Sequence, residues 1–249
     1  RFYNRLKRLI APGLLYSQAV YENELCTYTE NIQSWLDLGC GHQLLPAWRS
    51  QSELDLVRKI PMLVGLDYDW GSLKNHRSID VLVRGDISRL PFRNDSFDLV
   101  TSNMVFEHLT DPVGQLKEIL RVLKPGGMLM FHTPNALGYG TLLARMIPDV
   151  VKDKLVYLLD GREAHDVFKA YYKINSLAQI ERVVLETSFS ICRVRSVVSD
   201  AIFAVIPPLA VIELFCIRLL MRKCFRRIRS SFIVVLQKPV YEKNTIKVT

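Results

Sequence analysis

The sequence alternates short apolar runs with longer amphipathic runs, and several apolar runs end in glycine or aspartate. The first three apolar runs and the residues that end them are Trp35–Leu38 with Gly39-Cys40-Gly41, Met62–Leu66 with Asp67, and Val81–Arg84 with Gly85-Asp86. Strands separated by helices at this spacing predict a mostly parallel sheet with helices on both faces. Each crossover is expected to be right-handed.

The remaining elements continue this pattern along the chain. After Asp86 the predicted elements are strand Phe97–Ser102, helix Pro112–Leu123, strand Met128–His132, helix Asn175–Thr187, and strands Phe189–Val198 and Ser231–Gln237. Asp111 and Pro112 are a favoured helix start, since aspartate caps the first turn and proline suits the first helical position. The sequence therefore predicts an α/β, doubly wound, Rossmann-like sheet of seven strands, mostly parallel with the last strand antiparallel.

The composition fits one folded domain with a substantial core. The chain has 249 residues, 49% apolar and 23% charged, and doubly wound domains often reach this length undivided. Its five cysteines lack paired spacing, which indicates reduced thiols and a cytoplasmic setting. The opening segment lacks the apolar stretch of a signal peptide. The net charge of +8 suits nucleic acid, an anionic membrane surface or solubility alone.

Ligands of such sheets bind where the parallel strands end, and the unusual residues of this chain fall at these ends. Gly39 and Gly41 permit a tight turn and close approach of a ligand to the backbone. A helix expected from this turn through about Lys59 would offer unpaired N–H groups to a carboxylate or phosphate. Asp67 could accept hydrogen bonds from both hydroxyls of a ribose, and Asp86 one from an adenine amino group. Together these sites predict a pocket for an adenosine with an acidic tail.

Each of these residues also has a purely structural interpretation. The glycine pair can form a turn alone, Asp67 can cap a helix that begins near Trp70, and Asp86 can be a turn residue. A nicotinamide dinucleotide is a rival ligand, but its fingerprint needs a third glycine where Leu44 stands and an acid about 20 residues onward. Asp67 follows Gly39 by 28 residues, which disfavours a dehydrogenase.

Ordered segments of the chain resemble the motifs of class I S-adenosylmethionine-dependent methyltransferases, in particular the type 11 methyltransferases. The segments are Trp35–Gly41, Gly65–Asp67, Gly85–Ile87 with Leu90–Phe92 and Asp95–Val100, Glu107–Pro112, and Leu123–Gly127. The resemblance covers residues 33–135. It departs from the family at Gln43, where a glycine or small residue is common, near the methionine end of the cofactor.

The resemblance implies a methyltransferase whose cofactor is S-adenosyl-L-methionine. The residues implied to bind it are Asp37, Gly39, Cys40, Gly41, Asp67, Tyr68, Asp86, Ile87 and Asn103. On the methionine side, the backbone of Gly39–Gly41 would contact the amino-acid moiety, and Asp37 would orient that turn or meet the amino group through water. Asn103 would lie near the methionine or the sulfonium.

The resemblance also implies how the adenosine is held. Asp67 would hold the ribose, with Tyr68 beside the adenine, while Asp86 and Ile87 would bracket the base. The domain layout that follows is a single methyltransferase domain over 1–249, with an N-terminal helical segment at 1–31, a cofactor-binding core at 32–135, an acceptor lid at 136–175 and a helical insertion at 199–230 between the last two strands.

Methyl transfer depends mainly on positioning, although an oxygen or nitrogen acceptor can need a base to remove its proton. His108, in the loop after the fourth strand, and His132, at the end of the fifth strand, are the candidate catalytic residues, because both should point at the mouth of the crevice and histidine titrates near neutrality. A structural or cofactor-side role for His108 and a core position for His132 are the alternatives. His165 is expected in the lid region as a solvated loop residue. Asn103 precedes Glu107-His108 where some quinone-precursor relatives carry a metal-site acid, and we predict no metal.

The carboxyl-terminal insertion combines apolar and basic residues. Ala201 to Met221 is unusually apolar, and a helix expected from Leu209 would present one basic stripe, formed by Arg218, Arg222, Arg226 and Arg229. A basic amphipathic helix of this kind is typical of an interfacial membrane element. The alternative is a helix packed on the domain with a solvated arginine face. RNA binding ranks lower, since Phe225 is the one aromatic residue near the stripe.

These features lead to one functional expectation and two alternatives. The leading hypothesis is a methyltransferase for a small-molecule or lipid-linked acceptor, cytoplasmic and peripheral on the inner membrane face. A nucleic-acid methyltransferase and a non-catalytic scaffold with this fold are the alternatives. No appended RNA-binding module is visible, and the intact Gly39, Gly41 and Asp67 disfavour the scaffold.

Overall fold

The computed structural model of the chain describes residues 2–146 and 169–240. Its strands are β1 Ser34–Leu38, β2 Met62–Asp67, β3 Val81–Arg84, β4 Phe97–Asn103, β5 Leu123–Pro134, β6 Ser190–Val197 and β7 Ser231–Gln237. Its helices are α1 Phe2–Ile10, α2 Ser17–Tyr28, α3 Ser50–Val57, α4 Trp70–Lys74, α5 Pro112–Val122, α6 Tyr139–Met146, α7 Leu177–Thr187 and α8 Pro207–Leu220. Short 3-10 turns occupy Ala47–Arg49, Phe106–His108 and Lys223–Ile228.

The seven strands form one sheet in the order β3-β2-β1-β4-β5-β7-β6. The pairs from β3 to β5 are parallel, while β7 runs antiparallel to both β5 and β6. Chain order and sheet order reverse beside β1, so the carboxyl ends of β1 and β4 border the crevice where doubly wound sheets bind ligands. The predicted seven-stranded, mostly parallel sheet with an antiparallel last strand is confirmed.

Helices cover both faces of the sheet because the central strands are apolar on both faces. All five residues of β1 are buried. Trp35 packs into the cluster that contains Tyr21 of α2, whereas its neighbour Leu36 packs into the opposite cluster with Leu116 of α5 and Ile180 of α7. This alternation follows from the two-residue period of a strand.

The predicted start of α5 is confirmed in detail. The Asp111 carboxylate accepts a hydrogen bond from Gly114 N at 3.2 Å, and Pro112 occupies the first turn. Helix α7 has the same kind of start, since Ser176 Oγ accepts a hydrogen bond from Gln179 N at 3.3 Å. Such caps satisfy N–H groups that lack partners inside the helix.

The helix expected directly after the glycine turn is displaced, which corrects the sequence prediction. Residues 40–46 form a loop, and α3 begins only at Ser50. Leu44 and Leu45 are buried, and they lie in this loop rather than on a helix. Pro46 disfavours helical backbone at the residue before it and is itself extended, with ψ of 146°. The amino end of α3 therefore does not contribute its N–H groups to the glycine turn.

The arginine stripe predicted on one helix is also wrong. Helix α8 ends at Leu220, and the chain continues through a separate 3-10 turn, Lys223–Ile228. The Arg229 guanidinium turns inward, where it donates hydrogen bonds to Met221 O at 2.7 Å and to Ser196 O at 3.0 Å. Burial lowers the pKa of Arg229. The terminal carbonyls of α8 lack partners within the helix, and they draw this arginine away from the other three.

Arg218, Arg222 and Arg226 remain exposed. Among the described residues, no helix combines the length and the apolar character needed to cross a membrane.

Candidate functional site

A glycine turn closes the end of β1 against the end of β2. Gly39 N donates a hydrogen bond to Leu66 O at 2.7 Å, and Gly39 has a φ of +67°. A Cβ atom at this position would lie 2.3 Å from Val105 Cγ2, which no real contact allows. Left-handed backbone favours glycine, and this close approach requires it. The turn therefore presents bare backbone at the mouth of the crevice.

Asp67, at the end of β2, holds the same turn from the other side. Its Oδ2 accepts a hydrogen bond from Gly41 N at 2.8 Å, and its Oδ1 accepts one from Asp69 N at 2.8 Å. The cap of α4 is Asp69, whose carboxylate accepts from Ser72 N at 2.7 Å, so Asp67 is not the helix cap. An ionised carboxylate has about four acceptor sites, which leaves acceptor capacity on half-buried Asp67 for ligand hydroxyls.

Asp37 lies beneath the turn in a buried polar group. Its carboxylate accepts a short hydrogen bond from Thr101 Oγ1 on β4, and Thr101 Oγ1 in turn accepts one from Trp35 Nε1 at 2.6 Å. Burial raises the pKa of Asp37 to about 7, against the lowering effect of the Thr101 bond, with smaller contributions from the charges of Asp67 and Glu53. The structure thus places Asp37 where a cation near the turn would favour its charged form.

Cys40 contributes its backbone to the turn and directs its side chain into the core. Its side chain is buried against Gly65 of β2, where an added Cβ would lie 2.8 Å from Cys40 Sγ. Burial raises the pKa of the Cys40 thiol, and the charges of Asp37 and Asp67 act in the same direction. A buried thiol of this kind is a packing group and not a nucleophile.

The adenine-side candidates follow β2 and β3. Tyr68 is 67% exposed, and Arg84 Nε donates a hydrogen bond to its carbonyl at 3.2 Å while the guanidinium carbon lies 5.9 Å from its ring centre. Ile87 is buried, whereas Asp86 is exposed and its Oδ1 accepts a hydrogen bond from Ser88 N at 2.8 Å. Asp86 therefore has the turn role that was its alternative, and it retains a second carboxylate oxygen.

Asn103 ends β4 in a network that the sequence did not reveal. Its Nδ2 donates a hydrogen bond to Gln18 Oε1 on α2 at 2.9 Å. Its Oδ1 lies 3.0 Å from His132 Nδ1, and Ser231 Oγ lies 3.0 Å from His132 Nε2. Gln18 carried no usable signal, because a single glutamine on a helix surface is ordinary. The N-terminal segment therefore fixes a residue at the crevice edge.

The prediction that His132 points at the mouth of the crevice is wrong. Its ring is fully buried and stacks on Tyr21 at 5.7 Å between ring centres. Burial lowers its pKa to about 4. A neutral ring can donate from Nδ1 to Asn103 and accept from Ser231 at Nε2, which satisfies both nitrogens. His132 thus has the core position that was its alternative, where it orients Asn103.

His108 lies in the loop after β4, in the 3-10 turn Phe106–His108. Its side chain is 29% exposed, with Nδ1 at 3.0 Å from Lys169 O and Nε2 at 3.9 Å from Glu107 Oε1. Glu107 is buried and accepts a hydrogen bond from Thr133 Oγ1 at 3.3 Å. Burial raises the pKa of Glu107. His165, the third histidine considered, lies outside the described residues.

Glu53 is a second site residue that sequence reasoning missed. Although it belongs to α3, it is buried, and its Oε2 accepts a hydrogen bond from Leu45 N at 2.8 Å. Its other oxygen accepts a short bond from Ser78 Oγ. Glu53 thereby supports the loop after Gly41 from beneath, in place of the expected helix. A glutamate in a polar helical run gives no sign of such burial.

These observations test whether the site fits S-adenosylmethionine. Bare backbone at Gly39–Gly41 suits the amino-acid end of the ligand, and Asp67 has acceptor capacity for ribose hydroxyls beside an exposed aromatic ring at Tyr68. The donor set therefore fits an adenosyl ligand. Within residues 2–146 and 169–240, there is no group of three or more His, Cys, Asp or Glu side chains that could hold a metal ion.

The chain is similar in sequence and in structure to known methyltransferases. Residues 36–131 match the methyltransferase domain family. The chain is similar to demethylmenaquinone methyltransferases from Mycobacterium sp. (strain KMS), with 33% identity covering 52% of this chain and 63% of that protein, and from Corynebacterium glutamicum (strain R), with 31% identity covering 63% and 71%. A solved S-adenosylmethionine-dependent methyltransferase from Mesorhizobium loti shares the fold, with a TM-score of 0.54, 18% identity and coverage of 88% and 96%.

The chain belongs to the class I S-adenosylmethionine-dependent methyltransferases, and S-adenosylmethionine is the cofactor of that family. It spans 63% of the length of the mycobacterial relative. The residues that carried the resemblance, from Leu36 to Gly127, lie within the matched range, and Trp35 directly precedes it.

Proposed function

We propose that this protein transfers a methyl group from S-adenosylmethionine to a small-molecule or lipid-linked acceptor. The observation that carries the proposal is the contact between the glycine turn and Asp67, in which Gly41 N donates a hydrogen bond to Asp67 Oδ2 at 2.8 Å. A turn held open by glycine beside a half-buried carboxylate suits the two polar ends of an adenosyl amino acid.

In this proposal the named residues bind and orient the cofactor. The cofactor supplies an electrophilic methyl group on a sulfonium. The backbone of Gly39–Gly41 contacts the amino-acid end of the cofactor. The carboxylate of Asp37, beneath this turn, stabilises the positive charge of the cofactor's amino group. Asp67 accepts from the ribose, while Tyr68 and Ile87 flank the adenine. Asn103, fixed by Gln18 and His132, stands at the methionine side.

His108 is the proposed acid–base residue, and His132 is not, because its ring is fully buried. Its Nδ1 lies 3.0 Å from Lys169 O and its Nε2 lies 3.9 Å from the Glu107 carboxylate. A histidine in the loop after β4 can take the proton of an acceptor hydroxyl or amine, and these two contacts orient its ring for that step.

Several observations favour an apolar, lipid-linked acceptor. Val197 of β6 pairs with Ser231 of β7, which also pairs with Pro134 of β5. The insertion between β6 and β7 therefore leaves and returns at the edge of the sheet where β5 ends. Asn135 Nδ2 fastens it there by donating to Arg227 O at 2.9 Å. The similarity to demethylmenaquinone methyltransferases suggests a quinone-like acceptor.

The proposed place of the reaction is the surface of an anionic membrane. Arg218, Arg222 and Arg226 are exposed on the insertion at this edge of the sheet, and basic residues beside apolar ones favour such surfaces. Arg229, the fourth residue of the predicted stripe, is excluded from this role by its inward hydrogen bonds.

A transfer assay tests the proposed function. The protein is incubated with S-adenosylmethionine carrying a labelled methyl group and with an extract of membrane lipids, and labelled products are identified by mass spectrometry. We expect label in an apolar quinone-like fraction and its loss in Asp67→Ala. Absence of label from every lipid and small-molecule fraction, or label in added RNA, would overturn the proposal.

A further inference from the structure

The net positive charge of the chain comes from two segments that lie far apart in sequence, because basic and acidic residues are equal in number elsewhere. Residues 2–15 and 201–230 together contain nine Lys and Arg residues and one acidic residue, Glu213, so they hold the whole formal charge of +8. Glu213 is buried and accepts hydrogen bonds from Ile202 N and Phe203 N at 2.8 Å each. Neither segment exposes a carboxylate.

Helix α8, in the second segment, is apolar on its outer side as well as its inner side. Leu214 and Ile217 are fully buried against the domain, whereas Ile212 is 62% exposed and Phe215 57% exposed. Leu209, Ile212 and Leu219 share one helical face, which carries no polar residue. An outer face of this composition in water is uncommon for a helix on a domain surface.

Helix α1, in the first segment, has the same kind of outer face. Phe2 is 61% exposed and Leu9 is 76% exposed. Phe2, exposed Arg5 and Leu9 occupy positions i, i+3 and i+7, which lie on one side of a helix. Each of the two helices therefore offers apolar side chains beside cationic ones.

The two helices are joined into one unit. Tyr3 Oη and Lys7 Nζ of α1 each donate to the Asp200 carboxylate at 2.6 Å. Arg218 of α8 donates from Nη1 to Ile10 O at 3.1 Å, and residues of both helices pack in one apolar cluster. The faces of α1 and α8 thus belong to a single continuous structure.

We propose that α1 and α8 form one docking surface for an anionic lipid bilayer. The docking surface comprises Phe2, Arg5, Arg8, Leu9, Leu209, Ile212, Phe215, Arg218, Leu219 and Arg222. The inference deepens the proposed function, on which it rests for the use of the surface, because the surface lies at the sheet edge where a lipid-linked acceptor would enter. The N-terminal helix is as necessary to it as the insertion.

Charge complementarity selects the bilayer over other occupants. Apolar side chains enter the boundary between head groups and acyl chains, while arginine and lysine side chains extend to the phosphates. A bilayer presents both an apolar layer and a dense array of negative charge. A second copy of the chain would present like charge, which repels.

Vesicle flotation with the full chain tests the docking surface. Vesicles of phosphatidylcholine alone are compared with vesicles of phosphatidylcholine mixed with phosphatidylglycerol, each at low and high salt. We expect binding to the mixed vesicles that weakens at high salt. The double variant Arg5→Glu with Arg8→Glu should weaken it by roughly fivefold or more for each reversed charge. Ile212→Asp should weaken it by about tenfold.

Matched controls place the same changes elsewhere on the molecule. Leu185→Asp alters an apolar residue of α7 that is 86% exposed, and Lys117→Glu with Arg182→Glu reverses two exposed charges on α5 and α7. These variants should bind mixed vesicles as the unaltered protein does. Equal binding to both vesicle types, or equal loss in the controls, would overturn the proposal. Dimers that Ile212→Asp dissociates, without vesicle binding, would instead assign the surface to a second copy.

The outcome can be separated from that of the proposed function. Binding of S-adenosylmethionine without lipid is measured for the same variants, none of which alters a cofactor residue. Loss of vesicle binding with unchanged cofactor affinity supports the docking surface. Vesicle binding by a protein that fails to bind the cofactor would refute the methyltransferase proposal alone.

Discussion

Gly39 and Val105 approach so closely that the turn at the end of β1 depends on both residues. Gly39→Ala adds a Cβ atom 2.3 Å from Val105 Cγ2 on a backbone with φ of +67°. We expect a loss of about 1–2 kcal/mol for the left-handed backbone, with a further loss from the clash. Gly39→Ala combined with Val105→Ala should recover the clash contribution only. Urea denaturation of Gly39→Ala, Val105→Ala and the double variant provides the measurement; if the two single effects simply add in the double variant, the contact is contradicted.

Asp37 and His132 make opposite contributions to the pH dependence of folding. The pKa of Asp37 rises on burial to about 7, so the folded protein binds more protons than the unfolded chain below that pH, and the free energy of unfolding falls as pH rises. The pKa of His132 falls to about 4, so the unfolded chain binds more protons above that pH, and the free energy of unfolding rises with pH.

Two substitutions should separate these contributions between about pH 4 and about pH 7. Relative to the unaltered protein, Asp37→Asn should make the free energy of unfolding rise more steeply with pH, by up to about 1.4 kcal/mol per pH unit. His132→Gln should change the slope in the opposite direction. Chemical denaturation at several pH values provides the measurement. Parallel curves for all three proteins would show that neither buried group titrates as described.

At the scale of elements, Arg229 fixes the end of α8 against β6. Its guanidinium donates to Leu220 O, Met221 O and Ser196 O at 2.7–3.1 Å. Arg229→Gln should therefore lower the free energy of unfolding by roughly 2–3 kcal/mol, since several partly buried, charged hydrogen bonds are lost. Arg226→Gln, on the exposed 3-10 turn, should change it by less than about 0.5 kcal/mol. Thermal denaturation compares the two variants. Equal effects would contradict the inward hydrogen bonds of Arg229 and favour the solvent-facing position that the sequence predicted.

The elements were predictable to the extent that local sequence determines them. The apolar run Val81–Arg84 and the Asp111-Pro112 start appear in the structure as predicted, because the strand preference of β-branched residues and helix capping depend mainly on neighbouring residues. The loop after Gly41 was not predictable, since it depends on Glu53 reaching back to Leu45 N across eight residues. Arg229 likewise follows a helical spacing, but distant carbonyls determine its direction.

The same division holds within the candidate site. Gly41 and Asp67 were selected from their positions at strand ends, and the structure joins them directly. Gln18 was missed and the burial of His132 was not foreseen, because both depend on how α2 packs over the sheet. Contacts made by an N-terminal helix with residues 85 or more positions further along the chain leave no pattern in the sequence itself.

At the scale of the whole molecule, several distant segments converge on one edge of the sheet. The ends of β1, β2 and β4 form the crevice, α2 reaches it through Gln18, and the insertion returns to it beside Pro134. The proposed cofactor site and the proposed docking surface therefore lie at the same edge of the sheet. This arrangement suits an enzyme whose soluble cofactor enters from water and whose acceptor enters from lipid.

The most direct test is calorimetric titration of the purified protein with S-adenosylmethionine, together with Asp67→Ala and Asp69→Ala. Loss of a charged hydrogen-bonding group is worth about 1.5–3 kcal/mol, so Asp67→Ala should bind roughly 10- to 150-fold more weakly. Asp69→Ala removes a carboxylate two residues away that caps α4, and it should retain nearly the original affinity. No detectable binding by the unaltered protein, or equal affinity in Asp67→Ala, would contradict the account.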